Sequence, residues 1–398
     1  MVNELLQLSF VNFRKGSYLV VEGKADSDRF FIIQSGNVRC YKANDIPGGT
    51  PKMLGPGDFV GVIPCMSGHS QIETVIAMTD VTGISVRRDQ YPELIMRNTP
   101  VAMKIIRTFA NRMRSMNETL TKLTLNNVVA DTPEQIFYVA DYYDKAGNSD
   151  IAVYAYYQYL KACPHGSNFD KAKSRFVSLK AITHAVYFES TSDLLRTYPK
   201  DTMIFSENQN GPDMFIIQDG QVKISKVVNG NEVTLAMLKK GDMFGEMALL
   251  ENKPRSASAV AHEQCRLMVV NRQNFDQMVS TQPQLIARLT TTLADRLWSM
   301  YRQLDNASLR DPLQRLIDML ALQIEKAKIN LAPSVQFQTD LTVYDLANMC
   351  GIPKELQAEG LYKLESDSHI KIINDKIMVP DCLELVKQAA FYRKQNNA

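Results

Sequence analysis

The chain has 398 residues, with 45 Lys and Arg against 43 Asp and Glu, and a formal net charge of +2. At 45% hydrophobic and 22% charged residues it is neither disordered nor fibrous in composition, and its length suits about two to four domains. The near balance of charge excludes a chain-wide basic field for nucleic acid or anionic lipid. Six scattered cysteines contain no CxxC pair, which excludes compact zinc or iron–sulfur spacing and fits free thiols in a reducing compartment. No apolar run reaches the roughly 18 residues of a membrane span. The start, MVNELLQLSF, lacks the layout of a signal peptide, so a cytoplasmic protein with no membrane partner is expected. No nucleophile–base set, metal cluster or P-loop is present, so neither an enzyme nor a metal or cofactor is expected.

A repeat organises the rest. RFFIIQSGNV at 29–38 recurs as DMFIIQDGQV at 213–222, and the same offset of 184 pairs Gly57-Asp58 with Gly241-Asp242, Gly61 with Gly245 and Ala77 with Ala261. Each copy reads as short β-branched and aromatic strands with turn signals every 8–12 residues, the pattern of a small antiparallel barrel or jelly roll. In the second copy the predicted strands are 202–206, 214–218, 221–228, 232–238 and 257–260. Asn-Gly pairs at 210–211 and 229–230 suit positive-φ turns. Apolar stripes at three- and four-residue spacing then predict helices over 103–125 and 285–304.

Between the copies, Asp131-Thr132-Pro133 predicts a helix start. Residues 133–166 resemble one tetratricopeptide repeat, with Tyr143, Gly147, Ala152, Tyr156 and Pro164 at matching positions. A single repeat cannot bury its own face, so helix 168–181 and the flanking barrels are expected to cover it. It could serve as a rigid spacer or as a groove for a protein partner.

The chemistry concentrates in GDMFGEMALLENKPRSASAVA at 241–261. A short helix beginning near Met247 would present unpartnered N–H groups to an anion. Glu246 can accept a hydrogen bond from a hydroxyl, and Arg255 offers a bidentate fork for phosphate oxygens. The expected ligand therefore holds a phosphate and a hydroxyl close together. FGEMALLENKPRSA resembles the phosphate-binding cassette of cyclic-nucleotide-binding domains. The resemblance implies that Glu246 takes the ribose 2′-hydroxyl, that Arg255 takes the cyclic phosphate, and that Gly245, Met247, Ala248 and Ser256 complete the site. The same resemblance implies, from Ser256 after the arginine, cAMP over cGMP. Met300 and Tyr301, on the following helix, fall at lid positions, and Tyr301 could stack on the purine.

The first copy has Val62 for Glu246, Pro64 for Ala248, Gln71 for Arg255 and Ile72 for Ser256. A valine cannot hold a ribose hydroxyl, a neutral amide cannot offset a phosphate, and Pro64 removes an N–H donor. One cyclic nucleotide per chain is expected, with a structural role or another ligand for the first copy.

After helix 311–328, residues 341–380 read as a helix from Val343, a turn at Cys350-Gly351, a helix 353–365 and two strands around Asn374-Asp375, a winged helix-turn-helix. Residues 310–398 resemble the DNA-binding domain of the catabolite activator (Crp/Fnr) family. Lys354 and Glu355 stand at base-reading positions, whereas Glu359 replaces a basic residue. Residues 307–398 carry 11 basic and 12 acidic side chains, little for a DNA surface that draws affinity from Lys and Arg.

The expected fold is thus mixed α and β: a degenerate barrel with helix (1–125), a helical insert (126–182), a cyclic-nucleotide-binding barrel with seam helix (183–306) and a winged helix-turn-helix (307–398). The expected function is a cAMP-sensing transcription regulator, relayed through helix 285–304 to DNA. The alternative is a cyclic-nucleotide-controlled scaffold that binds proteins. Assembly would be a homodimer or an intramolecular pseudo-dimer.

Overall fold

The computed structural model describes residues 8–25, 28–42, 52–125, 132–228, 230–373 and 376–396. In the first repeat, strands β1 (Ser9–Phe13), β2 (Tyr18–Val20), β3 (Arg29–Ser35) and β4 (Val38–Tyr41) precede β5 (Lys52–Leu54) and β6 (Phe59–Val60). Helix α1 (Val62–Ser67), strands β7 (Thr74–Ala77) and β8 (Val81–Arg87), and helices α2 (Tyr91–Arg97) and α3 (Thr99–Leu125) complete it. The insert is three helices, α4 (Gln135–Lys145), α5 (Ser149–Ala162) and α6 (Phe169–Lys180).

The second repeat supplies β9 (Leu195–Tyr198), β10 (Met203–Phe205), β11 (Met214–Asp219), β12 (Val222–Val228), β13 (Asn231–Leu238) and β14 (Met243–Phe244). It continues through α7 (Glu246–Glu251), β15 (Ser258–Ala261), β16 (Cys265–Val270), α8 (Arg272–Thr281) and α9 (Pro283–Ala307). The C-terminal region holds α10 (Pro312–Lys326), β17 (Phe337–Thr342), α11 (Val343–Met349), α12 (Lys354–Glu365), β18 (Lys371–Ile373), β19 (Lys376–Val379) and α13 (Cys382–Asn396).

The repeat survives in topology. The first copy forms sheets β1-β8-β3-β6 and β2-β7-β4-β5, and the second forms β9-β16-β11-β14 and β10-β15-β12-β13. Every strand of the second copy stands where its counterpart eight strands earlier stands. Alternating apolar residues fill the space between each pair of sheets, including Phe31, Ile33, Val38 and Val75 in the first copy and Phe215, Ile217, Val222 and Leu267 in the second. The described strands of each copy form two open four-stranded sheets, so closure into a barrel is not what holds the fold. Gly230 has φ 73°, as its turn requires, whereas near 210–211 the positive φ falls on Asn208 at 62°. Asn229, Asp131 and Asn374-Asp375 lie outside the described residues.

The molecule divides into two compact units that cut across the order of the sequence. One holds residues 1–112 and 273–301; the other holds 113–272 and 302–398. Both long helices therefore change unit along their length, α3 after Arg112 and α9 after Tyr301.

In the first unit, α9 carries Trp298, whose indole stacks on His69 with ring centroids 3.8 Å apart and donates to the Ser70 carbonyl at 3.3 Å. Thr290, also on α9, hydrogen-bonds the buried Tyr91 hydroxyl at 3.0 Å.

In the second unit the insert covers itself against the second repeat. Tyr143, Ala152 and Tyr156 are fully buried, and Met203 and Val260 join their apolar cluster. Tyr143 donates from its hydroxyl to Glu232 at 2.7 Å, which satisfies a polar group that would be costly to bury alone. The C-terminal region starts cleanly, because Asp311 caps α10 by accepting from the N–H groups of Leu313 and Gln314 at 2.8 and 3.2 Å. Asp318, 1% exposed, ties the end of α9 to α10 and α13: Asn306 lies 3.0 Å away, Arg302 3.5 Å away, and Arg393 also donates to it.

Candidate functional site

The site grows from a tight turn. Gly245 caps α7 at φ 79° and Asn252 ends it at φ 54°, both left-handed. Offset by 184, Gly61 and Gly68 do the same for α1 at 76° and 75°. A side chain at Gly245 would stand 2.7 Å from the Arg255 guanidinium, so the glycine serves close packing as well as backbone freedom.

Arg255 is the centre of this packing and is 5% exposed. Its Nη1 donates to the Gly245 carbonyl at 2.7 Å and its Nη2 to the Asp213 carbonyl at 2.6 Å. Its guanidinium carbon lies 4.2 Å from the Phe205 ring centroid, in cation–π range. Its Nε is buried with no hydrogen-bond partner among the described residues. Burial lowers its pKa to about 10, against the raising pull of Asp213, Tyr154 and Glu246. A buried cation whose Nε has no partner is poised to gain from an anion.

Glu246 opens α7 and is fully buried. Met247 and Ala248 follow it into the interior, and the Ser256 hydroxyl approaches the Met247 sulfur at 3.6 Å. The structure thus brings Gly245, Glu246, Met247, Ala248, Arg255 and Ser256 into one constellation. α7 is held from behind, where Arg272 donates to the Leu249 carbonyl at 2.5 Å. The equivalent pair, Arg88 and the Cys65 carbonyl, is kept in the first copy.

Met300 and Tyr301 belong to the other unit. There Lys42 Nζ sits 4.5 Å from the Tyr301 ring centroid, and burial raises the Tyr301 hydroxyl pKa beside Arg112 and Glu73. Tyr301 is accordingly a neighbour of the first copy's cassette. The helix of the first repeat supplies what the second cassette touches: Arg114 donates to Glu251 Oε2 at 2.6 Å and to the Pro254 carbonyl at 3.2 Å. Asn117, one turn further along α3, is 6% exposed. In sequence Arg114 belongs to a basic cluster with Arg87, Arg88, Lys104, Arg107 and Arg112 that reads as a solvated helix face, but its side chain is largely buried, at 14% exposure, against Glu251. Sequence reasoning did not find Tyr154, which reaches from α5 to Gln209 at 3.2 Å in the loop around Arg255.

In the C-terminal region, α11 opens with a capping box, Thr342 and Asp345 each accepting from the other's N–H at 3.1 Å. The outer face of α12 exposes Glu355, Leu356, Glu359 and Tyr362. Glu359 pairs with Lys363 at 2.8 Å. Lys354 is the first residue of α12.

Each copy sets a short helix beside two open antiparallel sheets, with a buried arginine next to that helix in the second copy, and this arrangement is similar to the cyclic nucleotide-binding domain. The family model for that domain matches residues 10–98 and again 195–282. Among curated proteins, the chain is 28% identical over 197 residues to the cyclic AMP receptor protein of Thermus thermophilus, covering 49% of this chain and 88% of that protein. It is 23% identical over 193 residues to the CRP-like cAMP-activated global transcriptional regulator of Mycobacterium tuberculosis, covering 48% and 86%. A solved structure of a CooA mutant from Carboxydothermus hydrogenoformans matches at 19% identity and TM-score 0.43, over 50% of this chain and 87% of that one. Among the described residues, no helix is long and apolar enough to cross a membrane.

Proposed function

We propose that the chain is a cyclic-nucleotide-responsive regulator of transcription, with cAMP as ligand of the second repeat. The observation that carries this reading is the buried Arg255, which donates to the Gly245 and Asp213 carbonyls while its Nε has no hydrogen-bond partner among the described residues. An equatorial phosphate oxygen would take donors now spent on the Gly245 and Asp213 carbonyls. Glu246, at the N-terminus of α7, would accept from the ribose hydroxyl. Regulatory relatives of the cAMP receptor type favour the same ligand.

Release of the Gly245 and Asp213 carbonyls would shift α7, and α7 is bonded to α3 through Glu251. The way out to the C-terminal region is the buried cluster of Arg302, Asn306 and Asp318. The nucleotide must bind the two arrangements unequally for this to act as a switch. α11, α12 and the β17-β19-β18 sheet then serve as a winged helix-turn-helix on DNA. Leu289, Leu293 and Leu297 are already fully buried in a single chain, which favours a one-chain particle over pairing along α9. The test is a genome-wide DNA selection with and without cAMP at stated salt, for which an enriched motif dependent on cAMP is expected.

One observation favours the second reading, a cyclic-nucleotide-controlled scaffold. The outer face of α12 presents two carboxylates and the apolar Leu356 and Tyr362, at 47% and 72% exposure. That composition suits a basic protein surface. Absence of any enriched DNA motif would select it.

A further inference from the structure

We propose that the first repeat holds a second ligand site, shaped for a small apolar molecule that carries a single carboxylate. The cassette that lost its phosphate chemistry kept a cavity. It measures about 110 Å³ and opens between α1, the 71–73 segment and α3. An apolar cavity of roughly 150 Å³ accepts benzene, so this one has room for about one ring.

Its floor is Val62, Ile72, Ile105 and Phe109, all buried. These side chains favour an apolar body and give no return for desolvating a phosphate. Pro64 has no N–H to offer an anion, and Gln71 stands where the second repeat has Arg255. Positive charge for an anion therefore has to come from outside the cassette, and α3 supplies it.

The charged side chains lining the cavity are Lys52 and Arg112 against Asp58 and Glu73. Two more cations stand beside this set. Lys104 lies 3.6 Å from Asp58, and Lys42 Nζ lies 4.5 Å from the centroid of the Tyr301 ring, which Arg112 and Glu73 also border. Even with both carboxylates offset, a positive surplus remains at the rim, and the apolar floor beneath it strengthens its field. Lys52 is exposed and screened by solvent, which leaves Arg112 as the principal partner of a single negative charge. Its guanidinium has five N–H donors, enough to serve the Tyr301 hydroxyl and a carboxylate together. A cation meets the surplus unfavourably, and an uncharged molecule gains the floor alone. Trp298, the chain's single tryptophan, reports on the site, since it bonds the carbonyl of Ser70 next to the 71–73 wall.

The experiment titrates the full chain with benzoate, followed by saturation-transfer NMR and by Trp298 fluorescence, with benzamide and benzylamine as uncharged and cationic comparators. All arms are repeated in Arg255→Ala, which excludes benzoate held by the second repeat. Saturable benzoate binding is expected with a Kd on the order of a millimolar, as suits nine heavy atoms. Benzamide should bind at least fivefold more weakly, and benzylamine should not saturate. Arg112→Gln should weaken benzoate at least fivefold and leave benzamide within about twofold, a split that a merely structural role for Arg112 does not produce. The cavity-filling Ile72→Phe should abolish binding of both. No saturation by benzoate, benzamide binding as tight as benzoate, or unchanged benzoate affinity in Arg112→Gln or Ile72→Phe would each overturn the proposal. The comparison of benzoate with benzamide in the unsubstituted chain keeps the test decisive if either variant does not fold.

Discussion

Arg114 and Glu251 form an ion pair at 2.6 Å, and they come from different repeats of the sequence. Arg114 lies on the helix that leaves the first repeat, and Glu251 ends the cassette helix of the second. Both side chains are well buried, at 14% and 6% exposure. Removing one member leaves the other charge without compensation. Arg114→Ala is therefore expected to destabilise the fold by about 3 kcal/mol, read as a lower urea midpoint. An unchanged midpoint would show the pair to be incidental.

Arg255→Ala should abolish saturable cAMP binding in calorimetry. Arg255→Lys keeps charge but loses the fork, so it should weaken binding at least tenfold. Wild-type affinity in either variant would remove Arg255 from the site.

The first cassette offers Val62, Pro64 and Gln71 to a cyclic phosphate, and none can anchor it. A stoichiometry of one cAMP per chain is expected. Two equivalent binding events in calorimetry would restore the first repeat as a nucleotide site.

All six cysteines are buried. Burial pushes the Cys40 and Cys65 thiols up to about 12 and Cys265 up to about 11. The nucleophilic thiolate appears only as pH rises through those values, so at pH 8 the native chain should react with a disulfide reagent far more slowly than in denaturant. Reactivity should climb between about pH 10 and 12. Rapid labelling of Cys65 at pH 8 would contradict its burial within α1.

Glu359 is exposed on α12 and pairs across the helix surface with Lys363. Glu359→Arg should strengthen non-specific DNA binding and steepen the salt dependence by about one charge. No change in the slope would place α12 away from DNA.

Much of this was legible in sequence because the repeat is read in units of strands. An offset that holds across fifty residues fixes loop lengths, and loop lengths fix sheet order. Predicted strands such as 214–218 and 232–238 agree with Met214–Asp219 and Asn231–Leu238. Short or end strands were missed: β14 has two residues, too few for an alternating pattern. The cassette was legible because Gly245, Glu246 and Arg255 act within one local segment. What sequence did not reveal was which repeat each long helix serves. The apolar stripes of α3 and α9 are equivalent, so periodicity identifies a buried face without naming its partner. The resemblance therefore puts Tyr301 over the purine of the second repeat, while its charged neighbours Lys42, Arg112 and Glu73 all belong to the first.

The change of unit within α3 and α9 has a practical consequence for dissecting the molecule. A gene fragment encoding residues 183–306 would contain the whole cassette yet lack Arg114 and the insert that roofs it. Conversely, a fragment ending at residue 125 would lack Trp298 and Tyr301. Each compact unit is discontinuous in the gene, so deletion mapping by consecutive segments would misattribute loss of structure to loss of a binding residue. Point substitutions in the intact chain avoid that error.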